Sequence, residues 1–209
     1  MIEWSLDAFR ASESVHSIVV ATPPGHAHEL VGNDLEIVDG GATRAQSVAN
    51  ALATVETELI AVHDAARPLL TPDLVDALVA ALDADPDAAG VIAAAPLTDT
   101  VKQVGPLGSK SRPAFPIAEK GNAVLAVERT LDRSLLWGAQ TPQVFRTEAL
   151  RGALGVDEEI RDAATDEAAL VEAAGGRVLI HPVAAANPKV TTPLDLRVAE
   201  LLLADRVSP

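Results

Sequence analysis

The chain contains no cysteine and no tyrosine, and only two tryptophans and three phenylalanines. Without cysteine there is no disulfide, no thiolate metal site and no cysteine nucleophile, a usage that suits a reducing compartment. So few aromatics leave no stacking platform for single-stranded nucleic acid. Positive charge is scarce too: 16 Lys and Arg stand against 30 Asp and Glu, for a formal net charge of −14. Such a chain repels polyanions, and no basic run compensates locally, so no nucleic-acid partner is expected. The longest apolar runs, such as GVIAAAPL from Gly90, fall far short of the roughly 18 residues that cross a bilayer. No basic-then-apolar leader opens the sequence, so the expectation is a soluble, cytoplasmic protein without membrane contact.

What is present is apolar bulk. At 209 residues and 48% hydrophobic, the chain can bury a sizeable core as one domain, or one domain with an appendage. The scarcity of cations makes each one informative. A few arginines, lysines and backbone N–H groups, if they converge, suffice to hold a small anion against a distant acidic surface.

Short apolar segments alternate with helical periodicity. Trp4, Leu6 and Phe9 fit a helix, SIVVA (17–21) a buried strand, and LEIV (35–38) a second strand. From Thr43, apolar residues at Val48, Leu52 and Val55 recur at helical spacing. LIAVH (59–63) reads as a third strand, followed by a helix with Thr71 as N-cap and Pro72 in its first turn. GVIAAAP supplies a fourth strand. Beyond Asp99, DTVKQV and NAVLAVERTL read as two strands of a β-arm over residues 99–132, joined by a loose loop from Gly105 to Gly121. Helices follow from Thr147 and from Thr165, the latter closed by Gly175 and Gly176. The strand RVLIH and a last helix from Thr192-Pro193 end the chain. Strands alternating with helices define an α/β protein, a mostly parallel sheet with helices on both faces.

In such sheets, ligands bind outside the carboxyl ends of the strands. Two motifs begin there. In DGGATRAQS, glycines at 40 and 41 let the backbone approach a ligand, and the following helix start offers free N–H groups, with Arg44 and Ser47 on its first turn. A plain β-to-helix turn explains the same glycines. In HDAARP, Asp64 suits a metal or a ribose hydroxyl, and Arg67 suits a phosphate or Asp64 itself. A structural Asp–Arg pair fits equally well. His63 reads as a packed strand-end residue. Lys189 in NPKVTTPLDL and Arg146 in TPQVFR are single cations that spacing alone does not separate from surface charges. His26 and His28 lack the further ligands that zinc requires. GPLGSKS from Gly105 lacks the residue order and the preceding strand of a phosphate loop.

Taken together, VDGGATRAQSV, VHDAARPLL, PLTDTVK, TLDRSLLWGAQTPQVFR, TDEAALVEAAGG and NPKVTTPLDL occur in the order and spacing of one family. The chain resembles the 2-C-methyl-D-erythritol 4-phosphate cytidylyltransferases over nearly its whole length. The resemblance implies a Rossmann-like nucleotidyltransferase domain over residues 1–209, with a protruding β-arm, that joins CTP to methylerythritol phosphate with Mg²⁺ and releases pyrophosphate. It further implies that Gly41, Arg44, Ser47, Ala65 and Arg67 surround the cytidine and that Asp64 lies near ribose and metal. Arg146 and Lys189 would position the methylerythritol phosphate and act in catalysis. Thr130 and Asp132 on the arm would complete the substrate site of a second subunit in a homodimer.

One departure from the family pattern is large. The family opens with a strand, a glycine-rich loop carrying an arginine, and a Pro-Lys pair, ahead of a helix resembling IEWSLDAF. This sequence begins at that helix, as expected of a chain started from an internal methionine or, as the second reading, of a naturally shortened relative. The expectation is a truncated domain that lacks the triphosphate cradle and is nearly inactive as it stands. A cytidylyltransferase for another polyol phosphate, such as ribitol phosphate, or a non-catalytic nucleotide-binding or assembly module are the competing readings.

Overall fold

A computed structural model describes every residue except 27, 29, 31, 33, 107–124, 184–186 and 208–209. The chain divides into two compact units, Met1–Ala94 with Ala139–Pro209, and Ala95–Gly138.

The first unit opens with helix α1 (Ile2–Ala11) and strand β1 (Ile18–Thr22), which pairs in parallel with β2 (Leu35–Asp39) from Ile18↔Leu35 to Thr22↔Asp39. Helix α2 (Arg44–Leu52) follows, its Thr43 side chain capping the Gln46 N–H. Strand β3 (Leu59–Val62) leads to α3 (Pro72–Asp83), where Thr71 caps Leu74 N–H and proline occupies the first turn, as the sequence predicts. A second sheet has the order β3, β7 (Trp137–Arg146), β4 (Gly90–Pro96), β8 (Val178–Pro182). β4 and β8 run parallel, whereas β3 and β7 run antiparallel from Leu59↔Arg146 to Val62↔Gln143. Helices α4 (Thr147–Leu154), α5 (Glu158–Ala163), α6 (Glu167–Ala173) and α7 (Pro193–Val207) complete the unit.

Alternation along the buried strands sends successive side chains to opposite faces. Phe145 and Ile92 join Leu52, Leu150, Leu154, Leu170 and Val171 on one face, so α2, α4 and α6 cover it. Val144, Val91 and Ala93 join Leu78 and Leu82 of α3 on the other. The α/β class with helices on both faces is therefore realised.

Two elements do not follow from the pattern. β7 carries Gln140, Thr141, Pro142 and Gln143, which no apolar run marks as a strand, yet residues 141–145 are buried. Pro142 lies just past the last β3 pair, Val62↔Gln143, so its missing N–H costs the β3 ladder nothing. Two polar groups find partners: the Gln143 amide nitrogen donates to Asp166 at 2.9 Å, and Thr141 bonds residues after β3, whereas the side-chain oxygens of Gln140 and Gln143 are buried without a partner among the described residues. Helix α5, EEIRDA, is too short and acidic to show a periodicity.

The second unit holds an antiparallel pair, β5 (Lys102–Pro106) with β6 (Leu125–Thr130), irregular between Gln103 and Val104. A 3-10 turn over Arg133–Leu135 follows, capped by the Asp132 side chain on Ser134 N–H. The predicted loop from Gly105 to Gly121 lies, from residue 107 on, outside the described residues.

Candidate active site

Three loops that leave the carboxyl ends of β2, β3 and β8 meet at Asp64. Arg44, at the start of α2, donates through Nε to Asp64 Oδ1 at 3.0 Å. Lys189 places Nζ 3.0 Å from Asp64 Oδ2, and Arg67 Nε stands 3.8 Å from the same oxygen. Arg44 also places Nη1 2.5 Å from both carboxylate oxygens of Glu167, whose side chain is only 1% exposed. The cluster thus sets three cations against two carboxylates and keeps a net positive charge in a chain of net charge −14.

The loops are locked from behind. Asp64 N–H donates to Thr141 Oγ1 at 3.0 Å, and the Thr141 hydroxyl lies 3.1 Å from His63 Nδ1. His63 Nε2 lies 3.1 Å from Arg67 O. With the threonine donating to Nδ1 and Nε2–H donating to the carbonyl, a neutral imidazole satisfies every contact. Burial pushes the His63 pKa down to about 4, which suits that tautomer. Phe9 meets the ring edge-on. His63 therefore holds the loop of residues 64–67, as a packed strand-end residue does. From β8's side, Asn187 donates to Thr141 O at 2.9 Å and accepts from Arg67 Nη1 at 2.7 Å, and Val190 N–H donates to Ala66 O.

Burial disfavours the charged form of Asp64, but Arg44 and Lys189 outweigh it, and its pKa lies below the ordinary aspartate value. Burial also opposes ionisation of Arg44, and Glu167 with Asp64 more than restores it. For Arg67 burial prevails and its pKa falls.

The glycine loop is closed by its own side chains. Gly41 N–H donates to Ser47 Oγ at 3.0 Å, Ser47 donates to Thr43 O, and Ala42 N–H donates to Gln46 Oε1. A Cβ on Gly41 would stand 2.3 Å from the Gln46 Cβ, so glycine is required there. Gln46 and Thr43 are held in turn by Glu158 and Asp162 of α5.

Of the residues singled out in the sequence, Gly41, Arg44, Ser47, Asp64, Ala65, Arg67 and Lys189 belong to these three loops, with Ala65 exposed at the tip. Arg146 is not brought there. It pairs with Leu59, at the start of β3, so it lies roughly 15 Å along the strand from Asp64 at about 3.3 Å per residue. Its guanidinium caps carbonyl oxygens after α3 instead, with Nε on Ala88 O at 3.0 Å, and Glu58 3.7 Å away. Within this chain Arg146 and Lys189, both expected to position the methylerythritol phosphate, have separate partners. Thr130 and Asp132 belong to the second unit, where Lys102 donates to Thr130 and Asp132 caps Ser134. Glu167, Thr141 and Asn187 were not legible as site residues: a glutamate in a first helical turn reads as solvated.

Among the described residues no three His, Cys, Asp or Glu side chains gather to hold a metal. Both Asp64 oxygens already face cations. The donor set fits Mg²⁺ only as one carboxylate completed by ligand phosphates and water, a common arrangement for that ion.

Cations anchored on carboxylates thus cluster in this α/β protein at the carboxyl ends of strands, where such sheets bind ligands. Comparison with known proteins narrows the class. The family model for IspD, 2-C-methyl-D-erythritol 4-phosphate cytidylyltransferase, matches residues 1–205. The enzyme of that name from Frankia casuarinae is 41% identical over 98% of this chain and 70% of its own length. The one from Symbiobacterium thermophilum is 43% identical over 91% and 75%. The crystal structure of the Thermus thermophilus enzyme superposes with a TM-score of 0.77 at 32% identity, covering 97% of this chain and 88% of that one. The chain belongs to the 2-C-methyl-D-erythritol 4-phosphate cytidylyltransferase family of nucleotidyltransferases.

Proposed function

We propose that the chain transfers a cytidylyl group from CTP to 2-C-methyl-D-erythritol 4-phosphate and releases pyrophosphate, a step in non-mevalonate isoprenoid biosynthesis. The observation that carries the reading is the convergence of Arg44, Arg67 and Lys189 on Asp64 in a member of this family. In the reaction, an oxygen of the methylerythritol phosphate forms a bond to the α-phosphorus of CTP. The bond from that phosphorus to the bridging oxygen breaks, and pyrophosphate departs with the electron pair. A phosphate monoester is already ionised near neutral pH, so the step needs cations to gather negative charge rather than a base.

Arg44, Arg67, the Ala65 loop after β3 and the separate loop carrying Gly41 receive the nucleoside. Ser47 works from inside that loop, because its hydroxyl is spent on Gly41 and Thr43. Asp64 faces the ribose, and Lys189 orients the attacking phosphate. A divalent cation such as Mg²⁺, held by Asp64 and the triphosphate, would neutralise charge on the phosphates. Thr130 and Asp132 act in the site of a second subunit of a cytoplasmic homodimer.

Pyrophosphate release is the test, measured with CTP, Mg²⁺ and either methylerythritol phosphate or ribitol phosphate. It is run on the 209-residue chain and on the chain preceded by a relative's glycine-rich loop and Pro-Lys pair. Release that requires methylerythritol phosphate, in either form, is the expected result. No release from either form, or a preference for ribitol phosphate, overturns the reading.

A further inference from the structure

We propose that Glu167 is the positioning residue for Arg44: buried beneath the guanidinium, it fixes that group's direction and so sets the affinity for the nucleotide. The inference rests on the functional reading above and adds a residue to it. Glu167 begins α6, where Asp166 caps the helix and Ala168, Leu170 and Val171 fasten it into the core. The carboxylate therefore stands on a rigid element. Its two oxygens take Nη1 of Arg44 at 2.5 Å, while Nε is committed to Asp64 at 3.0 Å. Two anions on two edges of a planar guanidinium determine its orientation, which one anion on a flexible stem does not. Nη2 then has no partner among the described residues, and Arg44 keeps 36% of its side chain exposed. The unspent edge is the one available to a ligand.

The alternative is that Glu167 only neutralises charge. The two roles predict opposite signs. As a bare negative charge beneath the site, Glu167 repels the nucleotide, and removing its charge should tighten binding. As a positioning residue, it repays its repulsion through Arg44, and removing its charge should weaken binding. Loss of one charge-assisted hydrogen-bonding partner corresponds to roughly a 10-fold change in dissociation constant.

The experiment measures CTP affinity by calorimetry for the parent, Glu167→Gln, Arg44→Ala and the double variant, and records by NMR the solvent exchange of the Arg44 Nε–H, expected to be protected in the parent by its bond to Asp64, with melting curves to verify folding. Glu167→Gln should bind CTP about 10-fold more weakly and lose protection of the Arg44 signal. The double variant should bind CTP within about twofold of Arg44→Ala, because Glu167 acts through Arg44. Unchanged or tighter binding in Glu167→Gln, or additive losses in the double variant, would overturn the proposal. If the parent itself binds no CTP, the functional reading fails, and the NMR signal alone decides the positioning: protection lost in Glu167→Gln upholds it, protection retained refutes it.

Discussion

Arg44 and Arg146 lie near opposite ends of the β3 region and have similar exposure, 36% and 27% of the side chain. Their partners differ in kind. Arg146 spends its donors chiefly on the main-chain carbonyls of Leu82, Asp85 and Ala88, at and after the end of α3, with the exposed Glu58 carboxylate 3.7 Å away. Arg44 lies between two carboxylates, Asp64 on the loop after β3 and Glu167 on helix α6, beside two further cations. Covering carbonyls completes a helix end and leaves little to do. Gathering like charges around a shared anion is unfavourable without a further negative group to receive, so the Arg44 end has the character of a binding site and the Arg146 end that of a joint.

The largest expected effect comes from removing the anion that the cations share. Asp64→Asn loses charge-assisted contacts to Arg44 and Lys189 worth about 1.5 kcal/mol each, so kcat/KM should fall roughly 100-fold. Steady-state kinetics on the form that turns over CTP provide the measurement. A loss below about threefold would erase the contrast between the two ends.

The next effect is one of pH. The His63 pKa lies at about 4 in the folded chain against an ordinary 6.5. Below 6.5 the unfolded chain takes up a proton that the folded chain refuses, so stability falls as pH drops from 6.5 to about 4, by on the order of 2–3 kcal/mol. Asp64, whose pKa is depressed, contributes stability above the ordinary aspartate value and loses it only as pH falls through its lower folded value. Urea denaturation from pH 7 to 4 should therefore weaken the parent, and His63→Gln should flatten that slope. An unaltered slope would show that the imidazole does not lock the Asp64 loop.

The smallest effect sharpens the comparison from the other side. Arg146→Ala should lower stability by about 1–2 kcal/mol through lost hydrogen bonds to the chain after α3, with kcat per folded molecule unchanged within about twofold. A selective rise in KM for methylerythritol phosphate, with an unaltered melting temperature, would instead return Arg146 to the site.

How much of this was readable beforehand varied with the physics of each feature. The strands β1 to β4 and β8, and the cap Thr71, were legible because apolar runs and capping chemistry act within a few residues. β7 was not, because its buried Thr141 hydroxyl and Gln143 amide nitrogen find their partners in His63, Asp64 and Asp166, far away in sequence. Lys189 looked like any surface lysine until β8 brought it to Asp64, and Glu167 looked like an ordinary first-turn glutamate until α6 buried it under Arg44.

By itself, the sequence determined the α/β class, the strand-end motifs and, through their order and spacing, the family. Those are local periodicities and fixed spacings along one chain. Only the tertiary structure decided which cations share an anion, that Arg146 belongs to a helix end, and that Glu167 stands behind Arg44. Charge pairing depends on distances between side chains of different loops, and those distances are set only when the sheet and its two helical faces have packed.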